Sequence, residues 1–365
     1  MPVATQRGGA ERMVVDLARH ASEEGTRLLV VFLEDGPLAE EVASFGAGVA
    51  VVEAGRLRQP HRAAAAVARL ARVMRRARPD VAISWMSKAH LYGAPAARMS
   101  GLPSVLYHLE PPPGDWLRTA TALPTAGVIT VSDDLAAYVG GFRPRLPVRV
   151  VRPGVDLDRF DAAALPPIAD ARAALGLPVS APIVGIVGRL QRWKGVHDLI
   201  EAMPGVLEAV PDALAVVVGG PHETEPEYEP ALRRRVAELG LESAVRFAGF
   251  RTEIPLWRHA MDVTVTVSER EPFSVGVLEA MAVGTPVIGG DNGGTPEIID
   301  DGVNGLLVHF GDSQALSAAV RRVLGDPVLA ASMSEAARRS VDGLSTAAFA
   351  RNLIHAAREL GDGAG

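Results

Sequence analysis

One pattern runs through almost the whole chain: a short run of consecutive apolar residues is followed by a longer segment whose apolar residues recur every three or four positions. Runs such as IVGIV (183–187) and LAVVVG (214–219) are apolar at successive positions and not at alternate ones. A strand of this kind is buried on both faces, which is typical of a parallel sheet covered by helices. The pattern therefore predicts an α/β protein built from doubly wound parallel sheets.

The pattern occurs twice, and a segment with a weaker core pattern separates the two series. At 365 residues the chain is long for a single core, so two domains are expected. Segment 153–182 carries proline and glycine at both ends and is predicted to be the linker. The predicted domains are 1–152 and 183–340, and we expect the last helix, in 341–365, to cross back to the N-terminal domain. The candidate strands lie at 27–34, 48–53, 80–85, 104–109, 127–132, 148–151, 183–187, 214–219, 245–249, 263–267, 286–290 and 305–309.

The start of the chain departs from the usual form of such a sheet. An open parallel sheet of this type begins with a central strand that leads into a glycine-rich turn. Here Gly8 and Gly9 follow only residues 1–7. The first strand of the N-terminal domain is therefore expected to be very short, within residues 2–6, or missing, unless the natural start lies upstream of Met1.

Composition narrows the class of partner. The net charge of −6 argues against a nucleic-acid-binding protein that works through its overall field. The absence of cysteine excludes a disulfide framework and any thiolate metal site. The chain has no run of apolar residues long enough to span a membrane, and its N-terminus has no apolar run of signal-peptide length. A cytoplasmic protein is expected.

One segment is strongly basic, because eight arginines and no acid lie between Gly55 and Pro79. Such a cluster is commonly only the solvated face of a helix. It also suits anionic lipid headgroups or an acidic acceptor, because each cation near a charged bilayer contributes about 1 kcal/mol. Peripheral contact with the inner face of the cell membrane is therefore an open alternative. The arginines are Arg56, Arg58, Arg62, Arg69, Arg72, Arg75, Arg76 and Arg78.

The segment EPFSVGVLEA (271–280) places two glutamates around a predicted helix start. It follows a candidate strand, and Ser274 is a good N-cap for a helix that begins at Val275. The backbone N–H groups of the first helical turn would face the carboxyl end of a parallel strand, where a phosphate can be bound. Glu271 and Glu279 flank that site and suit hydroxyl groups, through charge-assisted hydrogen bonds of about 1.5 to 3 kcal/mol each. A diphosphate between two polyols is a nucleotide sugar, although two surface glutamates near a helix are also common.

Two further turns follow candidate strands of the predicted C-terminal domain. GRLQRWKG (188–195) supplies Arg189 and Lys194. Their positive charges can bind a diphosphate and stabilise the negative charge that it gains as a leaving group. An arginine and a lysine at this spacing are weak evidence alone and gain weight beside the glutamate pair. In GGDNGGTPEIIDDG (289–302) the glycines permit close backbone approach and the proline fits a first helical position. This turn is also explained as an ordinary strand-to-helix connection, so a ligand contact there stays open.

Five segments together resemble the retaining glycosyltransferases of family 4, of the group 1 type, which have the two-domain GT-B fold. The similarity runs over nearly the whole chain, and its most specific part is the E-x7-E element in its full context. The resemblance implies two Rossmann-like domains that face each other across a cleft, in an enzyme of carbohydrate biosynthesis. The segments are GGAER (8–12), VSDDL (131–135), RPGVDLDRF (152–160), GRLQRWKG (188–195) and EPFSVGVLEAMAVGTPVIGGDNGGTPEII (271–299).

The resemblance assigns roles in donor binding to residues of the C-terminal domain. It implies that Glu271 contacts hydroxyls of the donor sugar and that Glu279 contacts the ribose. Arg189 and Lys194 are expected to hold the diphosphate. Backbone N–H groups of the following helix start are expected to help, at Phe273, Ser274 and Val275.

The resemblance also assigns residues of the N-terminal domain. Gly8 and Gly9 match the family's glycine loop, which faces the donor, and His108 matches a histidine near the sugar and the attacking hydroxyl. Taken alone, a histidine at a strand end is more often structural.

In the C-terminal domain, Phe250 and Arg251 are candidates for contact with the base, because they follow the candidate strand VRFAG. The residues expected to take part in the chemistry are Glu271, His108, Arg189 and Lys194.

The expected reaction is transfer of a hexose-type sugar from a nucleoside-diphosphate sugar to the hydroxyl of a small-molecule, glycan or lipid-linked acceptor, with retention of configuration. No metal or other cofactor is expected, since no Asp-x-Asp pair stands at a strand end and Arg189 and Lys194 supply positive charge. Two alternatives stay open: a GT-B sugar-nucleotide epimerase or hydrolase, and a non-catalytic or decayed nucleotide-sugar-binding protein. A dehydrogenase is disfavoured, because no G-x-G-x-x-G follows a strand with an acid about 20 residues on.

Overall fold

The computed structural model describes residues 8–55, 59–110 and 116–363. Within them the chain forms two compact units. The first unit comprises the residues up to Gly154 together with those from Leu344 onward, and the second comprises Val155–Gly343. No helix among the described residues is long and apolar enough to cross a membrane.

The first unit is an α/β structure whose described strands all pair in parallel. These strands are β1 (Leu29–Phe32), β2 (Gly48–Val51), β3 (Ala82–Trp85), β4 (Ser104–His108), β5 (Gly127–Thr130) and β6 (Val148–Val150). β1 pairs with β2, and β3, β4, β5 and β6 follow one another in a separate sheet. Residues 2–6, where the sequence predicts a short or missing first strand, lie outside the described residues. The helices before the second unit are α1 (Gly9–His20), α2 (Pro37–Ser44), α3 (Pro60–Ala77), α4 (Ser87–Met99), α5 (Leu117–Ala120) and α6 (Asp133–Phe142).

The second unit is a doubly wound sheet of six parallel strands. They are β7 (Ile183–Val187), β8 (Leu214–Val218), β9 (Val245–Gly249), β10 (Val263–Thr266), β11 (Val287–Gly290) and β12 (Leu306–Val308). Their order is β12-β11-β10-β7-β8-β9, so the direction of winding reverses between β7 and β10. The helices of this unit are α7 (Ile168–Ala174), α8 (Val196–Ala209), α9 (Tyr228–Glu238), α10 (Ile254–His259), α11 (Val275–Val283), α12 (Ser313–Gly325) and α13 (Pro327–Val341).

The central strands of both units are buried along nearly their whole length. All residues of β4, β5 and β11 are buried, and only one end residue of β7, β8 and β10 is partly exposed. This burial is the reason that their apolar residues are consecutive, because helices cover both faces of each sheet. The α/β class with two Rossmann-like parallel-sheet units, predicted from the sequence, is confirmed.

The last helix of the chain, α14 (Thr346–Asp362), packs within the first unit. It contacts α1, β4 and β5. Phe349 on α14 lies with its ring centroid 6.3 Å from that of Tyr107, which in turn packs edge-on against Trp85 at 4.6 Å. The chain therefore enters the first unit a second time after completing the second one.

The segment predicted as the linker is folded onto the second unit from Val155 onward. It contains α7, whose Arg172 is buried and donates from Nη2 to Asp262 at 2.6 Å and from Nε to the carbonyl of Ala260 at 2.9 Å. These contacts attach α7 to the turn before β10. The weak apolar pattern of this segment is therefore compatible with its being attached to the second unit, because the polar contacts of Arg172 contribute to holding it there.

Candidate functional site

The reversal of winding between β7 and β10 sets the place of the candidate site. In an open parallel sheet, ligands bind outside the carboxyl ends of the strands, at the point where the strand order reverses. The loop after β7 is GRLQRWKG (188–195) and the loop after β10 leads into EPFSVGVLEA (271–280). The two segments singled out in the sequence therefore lie at neighbouring strand ends.

Lys194 and Glu271 are brought into direct contact. Lys194 Nζ donates to Glu271 Oε2 at 2.5 Å, and the side chains are 20% and 12% exposed. The same lysine lies over the ring of Trp193, with Nζ 4.0 Å from the centroid. The backbone N–H of Glu269 donates to the Trp193 carbonyl at 2.8 Å, which ties the two loops together. The pair is partly buried, yet both side chains are accessible to solvent.

The turn before α8 needs a glycine to bring Lys194 to this position. Gly195 has φ of 73°, in the left-handed region, and a Cβ there would lie 1.9 Å from the carbonyl oxygen of Val267. Both facts disfavour any side chain, because the left-handed region is strained for other residues and the space is already filled. The close backbone approach brings the loop after β7 against the end of β10.

The turn after β11 holds the backbone of Glu271. Gly294 donates its N–H to the Glu271 carbonyl at 2.8 Å, and a Cβ on Gly293, which has φ of 63°, would lie 2.2 Å from that same oxygen. Ser268 Oγ donates to Glu271 Oε2 at 3.1 Å. The glycine-rich turn 289–302 thus holds the backbone of Glu271, and Ser268, outside that turn, contacts its carboxylate.

Helix α11 begins where the sequence predicts. Ser274 is its N-cap, with Oγ accepting from the N–H of Val277 at 3.3 Å. Phe273 and Ser274 are buried, and the N–H of Val275 donates to the Phe273 carbonyl at 3.2 Å. The first turn of a helix leaves N–H groups without intrahelical acceptors and carries the positive end of the helix dipole. The electrostatics of this end of α11 suit an anion.

Glu279, one turn further along α11, is paired with a residue that the sequence did not indicate. Arg258 on α10 donates from Nε at 3.1 Å and from Nη2 at 2.9 Å, both to Glu279 Oε2. Arg258 is among the most buried residues of the second unit, whereas Glu279 is partly exposed. No local pattern points to this arginine, since it lies in a short helix 21 positions before its partner.

The remaining predicted residues of the second unit lie at other strand ends of the same edge. Arg189 follows β7 and contacts His222 after β8, with Nη1 3.3 Å from Nε2. Phe250 follows β9, is exposed, and lies beside Gly220, where a Cβ would be 3.4 Å from the Cβ of Phe250. Arg251 lies over the ring of Trp257 at 5.9 Å. No direct contact joins Arg189, Phe250 or Arg251 to the Lys194–Glu271 pair among the described residues.

In the first unit, Gly8 and Gly9 stand at the start of α1. Gly8 is its N-cap and donates its N–H to Glu11 Oε2 at 3.0 Å. The acid is three residues into the helix and neutralises part of the positive end of the helix dipole. Both glycines therefore lie at a helix N-terminus, as Ser274 does in the second unit.

His108 lies at the end of β4 and is fully buried. Its Nδ1 is 3.3 Å from Ser87 Oγ and 3.8 Å from Glu110 Oε2, while Nε2 is buried with no hydrogen-bond partner in the described part of the chain. Burial lowers the pKa of His108 to about 4, so the imidazole is neutral at pH 7. Ser87 follows Met86, whose φ of 73° lies in the left-handed region. Backbone strain of a non-glycine residue in that region is concentrated at functional sites.

The described residues contain no group of three or more histidine, aspartate or glutamate side chains placed to hold a metal ion. The positive charge at the switch point of the second unit comes from Lys194, from Arg189 and from the N-terminus of α11.

Solved structures define the class of the fold. The structure of Anabaena Alr3699/HepE in complex with UDP and glucose covers 97% of this chain and 98% of its own, with a TM-score of 0.84 and 27% identity. Together with the two Rossmann-like units and the switch-point site, this similarity assigns the chain to the GT-B class of α/β proteins, as the sequence resemblance implied.

The family follows from two models that match successive parts of the chain. Residues 7–159 match the model described as Glycosyltransferase Family 4, and residues 167–340 match Glycosyl transferases group 1. The chain belongs to family 4 of the glycosyltransferases, of the group 1 type.

Two curated relatives show how far the similarity extends. The D-inositol 3-phosphate glycosyltransferase of Corynebacterium urealyticum is 36% identical over 217 residues, which are 58% of this chain and 51% of that protein. The lipopolysaccharide core biosynthesis mannosyltransferase LpsB of Rhizobium meliloti is 34% identical over 221 residues, which are 58% of this chain and 60% of that protein. The match spans between about half and three fifths of the length of these relatives.

Proposed function

We propose that the protein transfers a hexose-type sugar from a nucleoside-diphosphate sugar to an acceptor hydroxyl, with retention of configuration and without a metal ion. The observation that carries this proposal is the contact of Lys194 Nζ with Glu271 Oε2 at 2.5 Å, at the switch point and beside the N-terminus of α11. A cation, a carboxylate and a helix N-terminus in one place match a ligand that carries both a diphosphate and sugar hydroxyls.

The diphosphate is the natural partner of the positive groups. Lys194 is a compact charge that can exchange a carboxylate for a phosphate oxygen, and Arg189 can donate to two oxygens at once. As the bond to the sugar breaks, negative charge grows on the departing diphosphate, and groups already in place stabilise it without reorganisation. These charges do the work that a metal ion does in other transferases, which is the ground for proposing metal independence.

Glu271 is proposed to orient the donor sugar. Its Oε2 is held by Lys194 and Ser268, whereas Oε1 has no hydrogen-bond partner among the described residues. A carboxylate oxygen of this kind accepts hydrogen bonds from sugar hydroxyls and favours the positive charge that develops on the sugar ring. Glu279 is proposed to bind the ribose in the same way, and Phe250 and Arg251 to contact the base.

The first unit is proposed to bind the acceptor, with His108 near the reacting centre. The neutral imidazole suits a hydrogen bond to a hydroxyl, because an uncharged Nε2 can accept one. The relatives support an acceptor that carries hydroxyl groups, since one is an inositol-phosphate glycosyltransferase and another acts in the lipopolysaccharide core. HepE, whose structure contains UDP and glucose, supports a nucleoside-diphosphate donor.

The test is a transfer assay with radiolabelled UDP-, GDP- and ADP-sugars and a panel of polyol, glycan and lipid-linked acceptors, in buffer that contains EDTA. Glu271→Ala and Lys194→Ala should each abolish transfer while leaving the circular dichroism spectrum unchanged, and product NMR should show the donor's anomeric configuration. Free sugar or a changed sugar nucleotide without acceptor would instead identify a hydrolase or an epimerase. Normal turnover in either variant would refute the proposal.

We also propose that the arginine face of α3 binds an anionic membrane surface. Six arginines are exposed on or directly after α3, and none of them forms an ion pair with an acid of the described chain. Met99, exposed on the adjacent helix α4, adds an apolar side chain beside Arg75, which donates to its carbonyl at 3.4 Å. The six are Arg62, Arg69, Arg72, Arg75, Arg76 and Arg78.

Vesicle flotation tests this surface. The protein should bind phosphatidylserine-containing vesicles and not pure phosphatidylcholine ones, and the triple change Arg72→Gln, Arg75→Gln and Arg76→Gln should weaken binding. The same change of charge on exposed arginines of the second unit, Arg234, Arg321 and Arg322, is the control. Equal loss in both triple variants would show that net charge alone, and not this face, governs the binding.

A further inference from the structure

Arg258 is a buried cation without an assigned role. It lies on the short helix α10 and is 1% exposed. Its Nη1 is 3.4 Å from Thr264 Oγ1, and its Nε and Nη2 both donate to Glu279 Oε2. Burying an arginine is costly, and an apolar residue of similar volume is often as stable as a buried ion pair. Simple filling of space therefore does not explain this residue.

The guanidinium of Arg258 packs against the first turn of α11. A Cβ on Gly276, the second residue of that helix, would be 3.1 Å from Arg258 Nη2. This is the positive end of the helix dipole, where a cation is disfavoured. A buried cation in this place is electrostatically favourable only with anions nearby, and Glu279 is the one anion that it contacts among the described residues.

Both hydrogen bonds go to the same oxygen of Glu279. Guanidinium groups commonly bind one carboxylate through both of its oxygens, yet here Nε and Nη2 converge on Oε2 at 3.1 and 2.9 Å. Oε1 is left with no protein partner in the described ranges, and the Glu279 side chain is 23% exposed. Glu271 has the same arrangement, with Oε2 held by Lys194 and Ser268.

We infer that Arg258 is a positioning residue for a ribose-binding carboxylate: it fixes Glu279 by Oε2 so that Oε1 accepts hydrogen bonds from the 2′- and 3′-hydroxyls of a nucleoside diphosphate. The inference rests on the proposed function, because it requires a nucleotide donor at the switch point. Without the guanidinium, the glutamate side chain has several rotamers, and the orientation of Oε1 is lost. The rival explanation is that Arg258 and Glu279 form a structural ion pair that no ligand uses.

A comparison of nucleotides with and without ribose hydroxyls separates the two explanations. The dissociation constants of UDP, GDP and ADP and of their 2′-deoxy and 3′-deoxy counterparts are measured by calorimetry. The wild type should prefer the ribonucleotide by roughly 10- to 150-fold, the range for a hydrogen bond to a charged group. Arg258→Met should reduce this preference to near one by weakening ribonucleotide binding, with deoxynucleotide binding little changed.

The controls distinguish positioning from general damage. Arg246→Met removes a structural arginine of the same unit, which donates to the carbonyl of Gly176 at 2.6 Å, and should lower the melting temperature without changing the preference for ribose. Glu279→Gln should abolish the preference, and adding Arg258→Met to it should have no further effect on that ratio. Arg258→Gln, which keeps a polar side chain, serves the same comparison if the Met variant does not fold.

The possible results bear on different claims. If a folded Arg258 variant keeps the wild-type preference for ribose, the positioning role of Arg258 is wrong, while the proposed transferase function stands. A wild type that binds ribo- and deoxynucleotides equally overturns the assignment of Glu279 to the ribose, and the inference with it, whereas the transfer assay is unaffected. Absence of binding by all three nucleotides contradicts the proposed donor itself.

Discussion

At the scale of single residues, the site is a set of carboxylates that each have one oxygen held by a cation. Lys194 holds Glu271 and Arg258 holds Glu279, in both cases by Oε2. The two cations differ in burial, because Lys194 is reachable from solvent and Arg258 is not. A lysine in that position can turn to an incoming phosphate, whereas the buried arginine can only keep its carboxylate in place. The two pairs therefore have different predicted roles: exchange at Lys194 and orientation at Arg258.

The first prediction concerns Lys194 and a matched cation in the same turn. Lys194→Ala should weaken nucleoside-diphosphate binding by roughly 10- to 150-fold, because it removes one charge-assisted hydrogen bond. Arg192→Ala should have little effect, since Arg192 lies over the ring of Tyr228 at 5.2 Å and not at Glu271. Calorimetric titration of both variants with UDP measures the difference. An equal loss of affinity would mean that the turn acts only through its total charge.

The second prediction concerns buried histidine and pH. Burial lowers the pKa of His90 from 6.5 to about 4, so between those values the unfolded chain binds a proton that the folded one does not. Stability therefore rises with pH across that window and is lost as the pH falls through it, by up to about 3 kcal/mol for this residue. Urea midpoints measured between pH 4 and 7 should fall less steeply in His90→Asn than in the wild type.

His355 on α14 provides the control for that measurement. Its side chain is 75% exposed, so the same His-to-Asn change is made there without disturbing the core. His355→Asn should leave the slope of stability against pH unchanged. A wild-type slope in His90→Asn would show that the buried imidazole does not govern acid sensitivity.

At the scale of elements, the site depends on turns that join the strand ends at the carboxyl edge of the second sheet. The loops after β7, β10 and β11 are linked by backbone hydrogen bonds and by close glycine contacts at Gly195 and Gly293. Because β10 lies between β7 and β11, its loop receives support from both sides. The position of Glu271 is therefore a property of three turns and not of its own segment alone.

The third prediction tests this support. Gly293→Ala should displace Glu271 and reduce sugar transfer at least tenfold, because the new Cβ would lie 2.2 Å from the Glu271 carbonyl oxygen. Gly302→Ala is the matched control, since Gly302 also has positive φ, at 77°, but no atom lies within 4 Å of its Cβ position. Both variants should lose about 1 kcal/mol from the left-handed backbone, and only Gly293→Ala should lose activity. Similar activity in both would show that the contact is readily relieved.

The elements also show what the sequence could predict. All twelve described strands fall within predicted runs. For the central strands the reason is burial on both faces, which leaves a local signal of consecutive apolar residues, whereas β2 and β6 contain no fully buried residue and were predicted from their apolar composition alone. The cap Ser274 could be predicted because capping is visible within a few positions, and charge singled out Lys194 and Glu271, which the structure brings into contact. Arg258 and the supporting role of Gly293 could not be predicted, because each depends on a partner more than 20 residues away. The same holds for Arg172, whose contacts with Asp262 attach the predicted linker to the second unit.

At the scale of the whole molecule, the two units differ in how the chain builds them. The second is one continuous segment, Val155–Gly343, whereas the first is completed by α14 from the end of the chain. Phe349, Leu353, Ala357 and Leu360 of α14 are buried. Most of the apolar face of this helix is thus covered within the first unit, which makes α14 part of that unit's core.

The fourth prediction follows from this connectivity. Phe349→Ala should destabilise the first unit by about 3 to 5 kcal/mol, because it leaves a cavity beside Tyr107. His355→Ala, on the exposed face of the same helix, should change stability by less than about 0.5 kcal/mol. Thermal unfolding should then show an earlier transition in Phe349→Ala, while UDP still stabilises the later one. A single shifted transition would mean that the two units unfold together.

The return of α14 also bears on how the protein is made. The second unit holds all of its strands and helices within one continuous stretch, so it can fold as soon as residue 343 has left the ribosome. Synthesis of the first unit begins before that of the second, but the first unit lacks α14 until residues 346–362 have emerged. The parts of α1, β4 and β5 that contact α14 therefore stay uncovered by it while the 155–343 segment is synthesised. Of the two units, the one whose synthesis begins first is the one whose elements are complete second.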